Sequence, residues 1–202
     1  MRAGDPVITF LNRQLEPMRG FHVFMRALPE VLAACPDAQV LLIGDDGPPA
    51  YGVAAGPGRT WKRRMLDELG ARLDLDRVHF MGAVPHELMV GAFSITRAHV
   101  YLTYPFVLSW SLIEAMGCEA LVVASDTGPV RDVVSHGENG LLQPFLDVAG
   151  LSRTLMEVLR EPERFAPLKA AARASVLARF DRSRVGVPGW LQLIDEVHPD
   201  QA

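Results

Sequence analysis

The sequence predicts an α/β fold, a doubly wound, Rossmann-like parallel sheet of about six strands with a helical C-terminal tail. Short apolar runs with the composition of strands alternate with runs of helical spacing, which is the pattern of α/β proteins. The strand-like runs are continuously apolar, as is typical of strands that helices cover on both faces. After position 148 the apolar residues keep helical spacing only.

The first half of the chain contains two strand–helix units. A β-branched and aromatic run at 7–11 is followed by helical spacing over 21–32. A second apolar run at 39–43 ends at the Gly-, Asp- and Pro-rich turn 44–49, which stops a strand sharply. An amphipathic helix is then predicted over 61–69, because its charged residues share one face.

The second half repeats the alternation and ends in helices. Strands are predicted at 78–81, 98–102, 121–124 and 141–142. Helices are predicted at 85–93, which begins with a proline, at 111–116 and at 130–134. About three more helices follow from 148, broken at Pro162 and between Phe180 and Ser183. No linker or repeat interrupts this order, so we expect residues 1–202 to form a single domain.

Composition narrows the class of function. Hydrophobic residues make up 49% and charged residues 22% of the chain, which is ordinary for a globular protein. The net charge of −4 argues against a nucleic-acid partner. Only two cysteines are present, Cys35 and Cys118, so we expect no disulfide framework and a reducing compartment.

The sequence predicts neither a signal peptide nor a membrane-spanning segment. Residues 1–6 contain no apolar stretch, and the uncharged stretch 98–113 is shorter than the ~20 residues that cross a bilayer. We therefore expect a cytoplasmic protein, and peripheral contact with a membrane surface stays compatible with the sequence.

Two arginines follow the first predicted strand. Parallel sheets bind ligands outside the carboxyl ends of their strands, where helix N-termini also point. Arg13 and Arg19 lie in that position, and Gly20 begins the next helix. Guanidinium groups and free helix amides together suit a diphosphate. The alternative is that both arginines are solvated loop residues.

A second polar cluster precedes the helix predicted at 111–116. Ser111 and Glu114 have the spacing of a capping box, in which each side chain accepts from the other's backbone amide. Taken alone, that interpretation is the better one. The functional alternative places the amides of Trp110 and Ser111 against phosphate and the Glu114 carboxylate against ribose hydroxyls.

No metal site or bound cofactor is expected. Asp45 and Asp46 follow the second strand. Asp74 and Asp76 precede the third strand, and this second pair therefore lies at the end of the sheet away from a ligand. We assign both pairs to turn and cap chemistry. The sequence contains no Walker loop, no G-x-G-x-x-G motif and no serine-nucleophile elbow.

Five motifs in a fixed order carry a family resemblance. They lie at 10–20, 41–47, 78–84, 105–128 and 137–142. In this order the chain resembles the C-terminal, nucleotide-sugar-binding half of a family-4 retaining glycosyltransferase with the two-domain GT-B fold. The resemblance implies half of a GT-B fold, binding of a nucleoside-diphosphate sugar, and a transferase activity in polysaccharide biosynthesis.

The resemblance also implies roles for particular residues. The diphosphate of the donor would be held by Arg13, Arg19 (where lysine is more usual), Ser109, Trp110 and Ser111. Val84 lies where the family's backbone meets the nucleobase. Glu114 matches the second glutamate of the E-x7-E motif, which binds ribose. No catalytic residue is assigned by the resemblance.

The chain departs from the family at three residues and in its extent. Glu119 and Leu121 stand where the family has glycine and proline. Phe106 occupies the position of the first glutamate of E-x7-E, which lies near the donor sugar. We predict that Phe106 is a core residue; the alternative is that it lines the donor pocket. The acceptor-binding N-terminal domain is also missing, so it is expected in cis in a longer protein or as a separate chain.

Three functions therefore stay open. The first is the donor-binding domain of a retaining glycosyltransferase. The second is a non-catalytic nucleotide-sugar-binding subunit, and the third is a fragment of a GT-B-type nucleotide-sugar epimerase.

Overall fold

The predicted parallel sheet is confirmed in a computed structural model, which describes residues 5–197. Its strands are β1 (Val7–Gln14), β2 (Gln39–Asp45), β3 (Val78–Gly82), β4 (Thr96–Tyr101), β5 (Val122–Ser125) and β6 (Leu141–Gln143). They are hydrogen-bonded in the order β3-β2-β1-β4-β5-β6, and every neighbouring pair is parallel. From β1 the chain adds β2 and β3 on one side of the sheet. It then crosses to β4, which lies on the other side of β1, and continues to β5 and β6. The switch point between β1 and β4 is where such sheets open for ligands.

Helices cover both faces of the sheet. They are α1 (Phe21–Ala34), α2 (Trp61–Leu69), α3 (His86–Ile95), α4 (Trp110–Gly117), α5 (Gly128–Arg131), α6 (Val148–Arg160), α7 (Ala166–Phe180) and α8 (Val187–Val197). The helical tail is confirmed, with a 3-10 turn at Pro162–Phe165 and a π-helical turn at Arg182–Gly186 at its two breaks. No helix among residues 5–197 is long and apolar enough to cross a membrane. Residues 1–4, part of the segment used to argue against a signal peptide, lie outside the described residues.

The core forms because β1, β2 and β4 are buried between helices. On one face, Phe10 of β1 stacks on Phe24 of α1 with 4.8 Å between ring centroids, inside the larger apolar cluster. On the other face, Leu112 and Met116 of α4 pack with β5 and α7. Full burial of one such side chain contributes about 1.5–3 kcal/mol. This packing holds the carboxyl ends of the strands in fixed positions.

A buried polar chain crosses the middle of the sheet. Thr9 Oγ1 lies 3.1 Å from Thr96 Oγ1 and 2.9 Å from His99 Nδ1. The Thr96 hydroxyl proton is directed to the carbonyl of Val7 or Ala98, so Thr9 donates to Thr96. Thr9 must then accept from His99, which fixes the neutral tautomer with the proton on Nδ1. The other ring nitrogen, Nε2, is buried without a hydrogen-bond partner.

Burial of His99 makes stability depend on acidity. Desolvation lowers the pKa of His99 from 6.5 to about 3 in the folded chain. Between these two values the unfolded chain binds a proton that the folded chain does not. Stability therefore falls as the pH falls through this window, by about 2 kcal/mol at pH 5 for this group alone.

We predict that His99→Gln reduces the acid dependence of the free energy of unfolding. Urea denaturation at pH 7 and pH 5 should show a loss on acidification that is about 2 kcal/mol smaller in the variant. His79→Gln is the control, because it removes a histidine whose ring already has a neutral hydrogen-bond partner, Gln39 at 2.8 Å. If His99→Gln and the parent protein lose the same free energy of unfolding between pH 7 and pH 5, the role given to His99 is contradicted.

Candidate functional site

The candidate site is an open cleft at the carboxyl edge of the sheet, around the β1–β4 switch point. It consists of two adjoining cavities of about 360 and 220 Å³. The residues that line both are Leu11, Asn12, Arg13, Ser109 and Trp110. The cleft is therefore walled by the end of β1 on one side and the N-terminus of α4 on the other.

Both predicted arginines border this cleft. Arg13 is exposed within the last part of β1 and lines both cavities, whereas Arg19 lines the narrower one. Among residues 5–197, no carboxylate lies within salt-bridge distance of either guanidinium. The carboxylates of Glu16, Asp45 and Glu114 also line the cleft, but none is ion-paired with either arginine, so both guanidinium groups can bind an anion.

Contacts on three sides fix the Arg19 guanidinium. Its Nη1 donates to Thr103 Oγ1 at 2.8 Å. Its central carbon lies 5.4 Å from the ring centroid of Tyr51 and 5.5 Å from that of Phe106, within the range of cation–π attraction. Most N–H groups of Arg19 remain available for a ligand.

Glycine at position 20 lets the segment that carries Arg19 lie against the end of β4. Gly20 has φ +72 and is the N-cap of α1. A Cβ there would lie 2.2 Å from Leu102 Cβ, closer than any two such atoms approach. The short 3-10 turn Pro17–Arg19 is thereby placed beside the loop that follows β4.

The N-terminus of α4 is capped by Ser109, so the predicted capping box is wrong. Ser109 Oγ accepts from the Ser111 amide at 3.3 Å, and the hydroxyls of these two serines lie 2.8 Å apart. Tyr101 holds the cap in place, because its hydroxyl accepts from the Ser109 amide at 2.8 Å. Burial raises the pKa of Tyr101, which keeps this hydroxyl protonated at neutral pH.

Glu114 is free of the helix cap and lies at the other end of the cleft. Its Oε1 is 2.8 Å from His86 Nε2, at the start of α3. Glu114 lines the wider cavity together with Val84, Met89 and Asp45. The structure thus brings together every residue predicted for the site, with Val84 and Glu114 towards one end, Arg13 and the α4 N-terminus in the middle, and Arg19 at the other end.

Phe106 is not a core residue, so that prediction is wrong. Its side chain is 44% exposed and lines a third, small cavity next to Arg19. The chain leaves the sheet at Thr103, and the loop that follows carries its apolar residues outward. The ring of Phe106 packs on that of Tyr51, with 5.0 Å between centroids, instead of entering the core.

Sequence reasoning missed Tyr51, Glu16 and Thr103. Glu16 is almost fully buried, and its Oε2 accepts from the Tyr51 amide at 2.8 Å, which attaches the β2–α2 loop to the cleft. Tyr51 follows Gly and Pro residues with no motif around it, so only the tertiary contact identifies it. Thr103 directly follows a predicted strand, at the edge where ligands are expected, but sequence reasoning gave it no role.

The acidic pairs have different surroundings. Asp74 accepts from the Asp76 amide and pairs with Arg77 Nε at 2.8 Å, a turn role as predicted. Asp45 ends β2 and faces the wider cavity. Within residues 5–197, no group of three or more His, Cys, Asp or Glu side chains converges to hold a metal ion.

Known proteins share this sequence pattern and fold. A family model described as glycosyl transferases group 1 matches residues 2–175. The phosphatidyl-myo-inositol mannosyltransferase of Mycolicibacterium smegmatis is 31% identical over 91% of this chain and 43% of its own length. Sucrose-phosphate synthase from Thermosynechococcus elongatus is 26% identical, with a TM-score of 0.78 over 98% of this chain and 47% of that one. HepE of Anabaena, in complex with UDP-glucose, has 23% identity and a TM-score of 0.77 over 96% of this chain and 50% of that one.

The fold, the open cleft and these likenesses together define a glycosyltransferase domain of the GT-B type. The chain belongs to the glycosyl transferases group 1 family. It spans less than half the length of the curated relatives that it matches.

We predict that Ser109→Ala destabilises the domain by about 1 kcal/mol, because an N-cap hydroxyl is lost. Glu114→Gln should change the free energy of unfolding by less than about 0.5 kcal/mol, since Glu114 does not cap the helix. Urea denaturation at pH 7 measures both. A larger loss for Glu114→Gln than for Ser109→Ala would restore the capping box.

Proposed function

We propose that this chain is the donor-binding domain of a retaining glycosyltransferase that uses a nucleoside-diphosphate sugar. The observation that carries the proposal is the convergence, in one cleft, of two arginines without acidic partners and the N-terminus of α4. A planar guanidinium binds phosphate through two parallel hydrogen bonds, and each charged hydrogen bond contributes roughly 1.5–3 kcal/mol.

The order of groups along the cleft supports the same ligand. Val84 and Glu114 line the wider cavity, where a carboxylate can accept from the two hydroxyls of a ribose. Arg13, Ser109 and Trp110 follow in the shared part, and Arg19 lies beyond them. This order of residues along the cleft matches the order of base, ribose, diphosphate and sugar in a nucleotide sugar.

The proposed chemistry is transfer of the sugar with retention at its anomeric carbon. The bond between that carbon and the diphosphate breaks, a bond to a hydroxyl oxygen of the acceptor forms on the same face of the sugar, and the hydroxyl proton passes to the leaving diphosphate, on which negative charge develops. Arg13, Arg19 and the α4 amides would stabilise that charge from fixed positions. Removal of one such preorganised donor typically costs about 10²–10³ in turnover.

The domain needs a second half to enclose an acceptor, and α8 offers a surface for it. No residue of α8 is buried, and its Trp190, Leu191 and Ile194 are largely exposed. Exposed apolar faces of this size mark interaction sites. We place the acceptor-binding domain in contact with this helix, whether it belongs to the same chain or to another.

The name of one relative indicates a class of acceptor for this protein. The relative from Mycolicibacterium smegmatis is named for transfer of mannose to phosphatidyl-myo-inositol, a lipid. A lipid-linked acceptor at a membrane surface accords with that name, and a polysaccharide acceptor and a cytoplasmic location stay predictions from the sequence.

We predict that the purified chain binds a nucleoside diphosphate in the presence of EDTA. Calorimetry with UDP, GDP and ADP identifies the base. Arg13→Gln should weaken the affinity about tenfold or more, because one charged contact to phosphate is lost.

Arg182→Gln, an exposed arginine in the helical tail, is the matched control and should bind like the parent protein. No binding of any of the three diphosphates at millimolar concentration would refute the proposed function. An equal loss of diphosphate affinity in both variants would show that binding depends only on the net charge of the protein.

We predict that the 202-residue chain alone transfers no sugar to an acceptor. The wall of the cleft that would hold the acceptor lies outside these residues. Mass spectrometry of mixtures with UDP-glucose or GDP-mannose and simple sugar or lipid acceptors checks this. Measurable glycoside formation would contradict the need for a second domain.

The exposure of Phe106 favours one other function, a non-catalytic subunit that binds nucleotide sugars. A phenyl ring cannot accept hydrogen bonds from sugar hydroxyls as a carboxylate does. Activity of the complete protein with its acceptor domain would decide against it. An epimerase would instead convert UDP-GlcNAc to a new sugar with no acceptor present.

A further inference from the structure

A small apolar pocket adjoins the Arg19 end of the cleft. It has a volume of about 80 Å³ and is lined by Met18, Arg19, Tyr51, Thr103, Tyr104 and Phe106. Arg19 and Tyr51 also line the narrower cavity of the cleft, so the two spaces share a wall. A group attached to a diphosphate beside Arg19 therefore has this apolar pocket as its neighbour.

Three chain segments hold the pocket in shape. The Tyr51 amide donates to Glu16 Oε2 at 2.8 Å, which fixes the β2–α2 loop. The Tyr104 amide donates to the Met18 carbonyl at 2.9 Å, which fixes the loop after β4. Because these contacts exist before any ligand arrives, little ordering is left for binding to achieve.

Aromatic rings supply most of the pocket's wall. Tyr51 and Phe106 are each 44% exposed, and Tyr104 is 52% exposed. Three neighbouring aromatic side chains thus keep about half of their surface in water, although aromatic rings gain strongly from burial. An apolar ligand group placed there would remove exposed aromatic surface from water.

The surface of the pocket is almost entirely carbon. Thr103 Oγ1 accepts from Arg19 and donates to the carbonyl of Tyr104 at 3.0 Å. The Arg19 guanidinium lies over two rings, with its remaining N–H groups near the cleft. A hydroxyl group inside the pocket would lose its hydrogen bonds to water and gain few in return.

We propose that this pocket selects donors whose sugar carries a methyl group, and this inference rests on the proposed function. The methyl belongs either to the acetamido group of a 2-acetamido sugar or to C6 of a 6-deoxy sugar. A methyl group gives up no hydrogen bond on entering the pocket. The pocket, at about 80 Å³, has room for a substituent of the sugar, and we assign the sugar ring to the adjoining cavity of about 220 Å³.

The test compares sugars that differ at one position. Free UDP, GDP and ADP are titrated first into the 202-residue chain by calorimetry with EDTA. On the base that binds best, the glucose ester is compared with the N-acetylglucosamine ester, and the mannose ester with the 6-deoxymannose ester. The methyl-bearing sugar of one pair should bind about tenfold more tightly than its partner. The pair that shows the difference identifies the source of the methyl.

Variants connect the preference to the pocket. Phe106→Glu should bring the two affinities of that pair to within about threefold, because a carboxylate accepts from hydroxyls and repels methyl groups. Val107→Glu places the same charge on the next residue, which does not line the pocket, and should keep the preference. Tyr51→Ala removes the opposite ring and gives a second test if Phe106→Glu does not melt cooperatively.

The outcomes separate this inference from the proposed function. Equal affinities within both pairs, with a free diphosphate bound, overturn the methyl-selecting pocket alone. No binding of any free diphosphate overturns the proposed function and the inference with it. A preference that persists in Tyr51→Ala and in a folded Phe106→Glu variant places the selection elsewhere and overturns the inference.

Discussion

The cleft depends on the close approach of α1 to the end of β4. Only a glycine at position 20 permits it, because a Cβ would meet Leu102 and the backbone has φ +72. This approach sets Arg19 beside the loop after β4, where Thr103 accepts its hydrogen bond. Arg13 is positioned by β1 itself, the strand next to β4. The switch point of the sheet and one glycine thus bring the cationic groups together.

The core that supports this edge tolerates a buried histidine. His99 and Thr9, its hydrogen-bond partner, occupy the middle of the sheet, where an apolar side chain in place of His99 would leave no buried nitrogen without a partner. A buried acceptor without a partner costs about 1–3 kcal/mol. Phe93 packs edge-on against the imidazole, with 4.8 Å between ring centroids, so the ring still contributes packing.

Sequence reasoning succeeded where local pattern and topology agree. Continuous apolar runs identified all six strands, and the carboxyl-edge rule then located Arg13 at the cleft. Val84 and Glu114, which line the same cleft, were assigned by the family resemblance. It failed where two local solutions compete: Ser109 and Ser111 both suit an N-cap, and the Tyr101 hydroxyl decides for Ser109. It also failed at Phe106, since hydrophobicity does not distinguish a core ring from one that walls a pocket. Tyr51 could not be found, because the contact that positions it spans 35 residues of sequence.

The residues at positions 19, 51 and 106 are best understood as one set. A lysine at position 19 would present a compact charge, whereas the planar guanidinium of Arg19 lies over two rings and still directs N–H groups outward. A carboxylate at position 106 would pair with that guanidinium and compete with a bound anion. With Phe106 there, the charge of Arg19 has no internal partner among residues 5–197, and its hydrophobic surroundings strengthen its attraction for a ligand. The aromatic residue and the arginine therefore depend on each other, and a change at either position alters both the anion site and the pocket beside it.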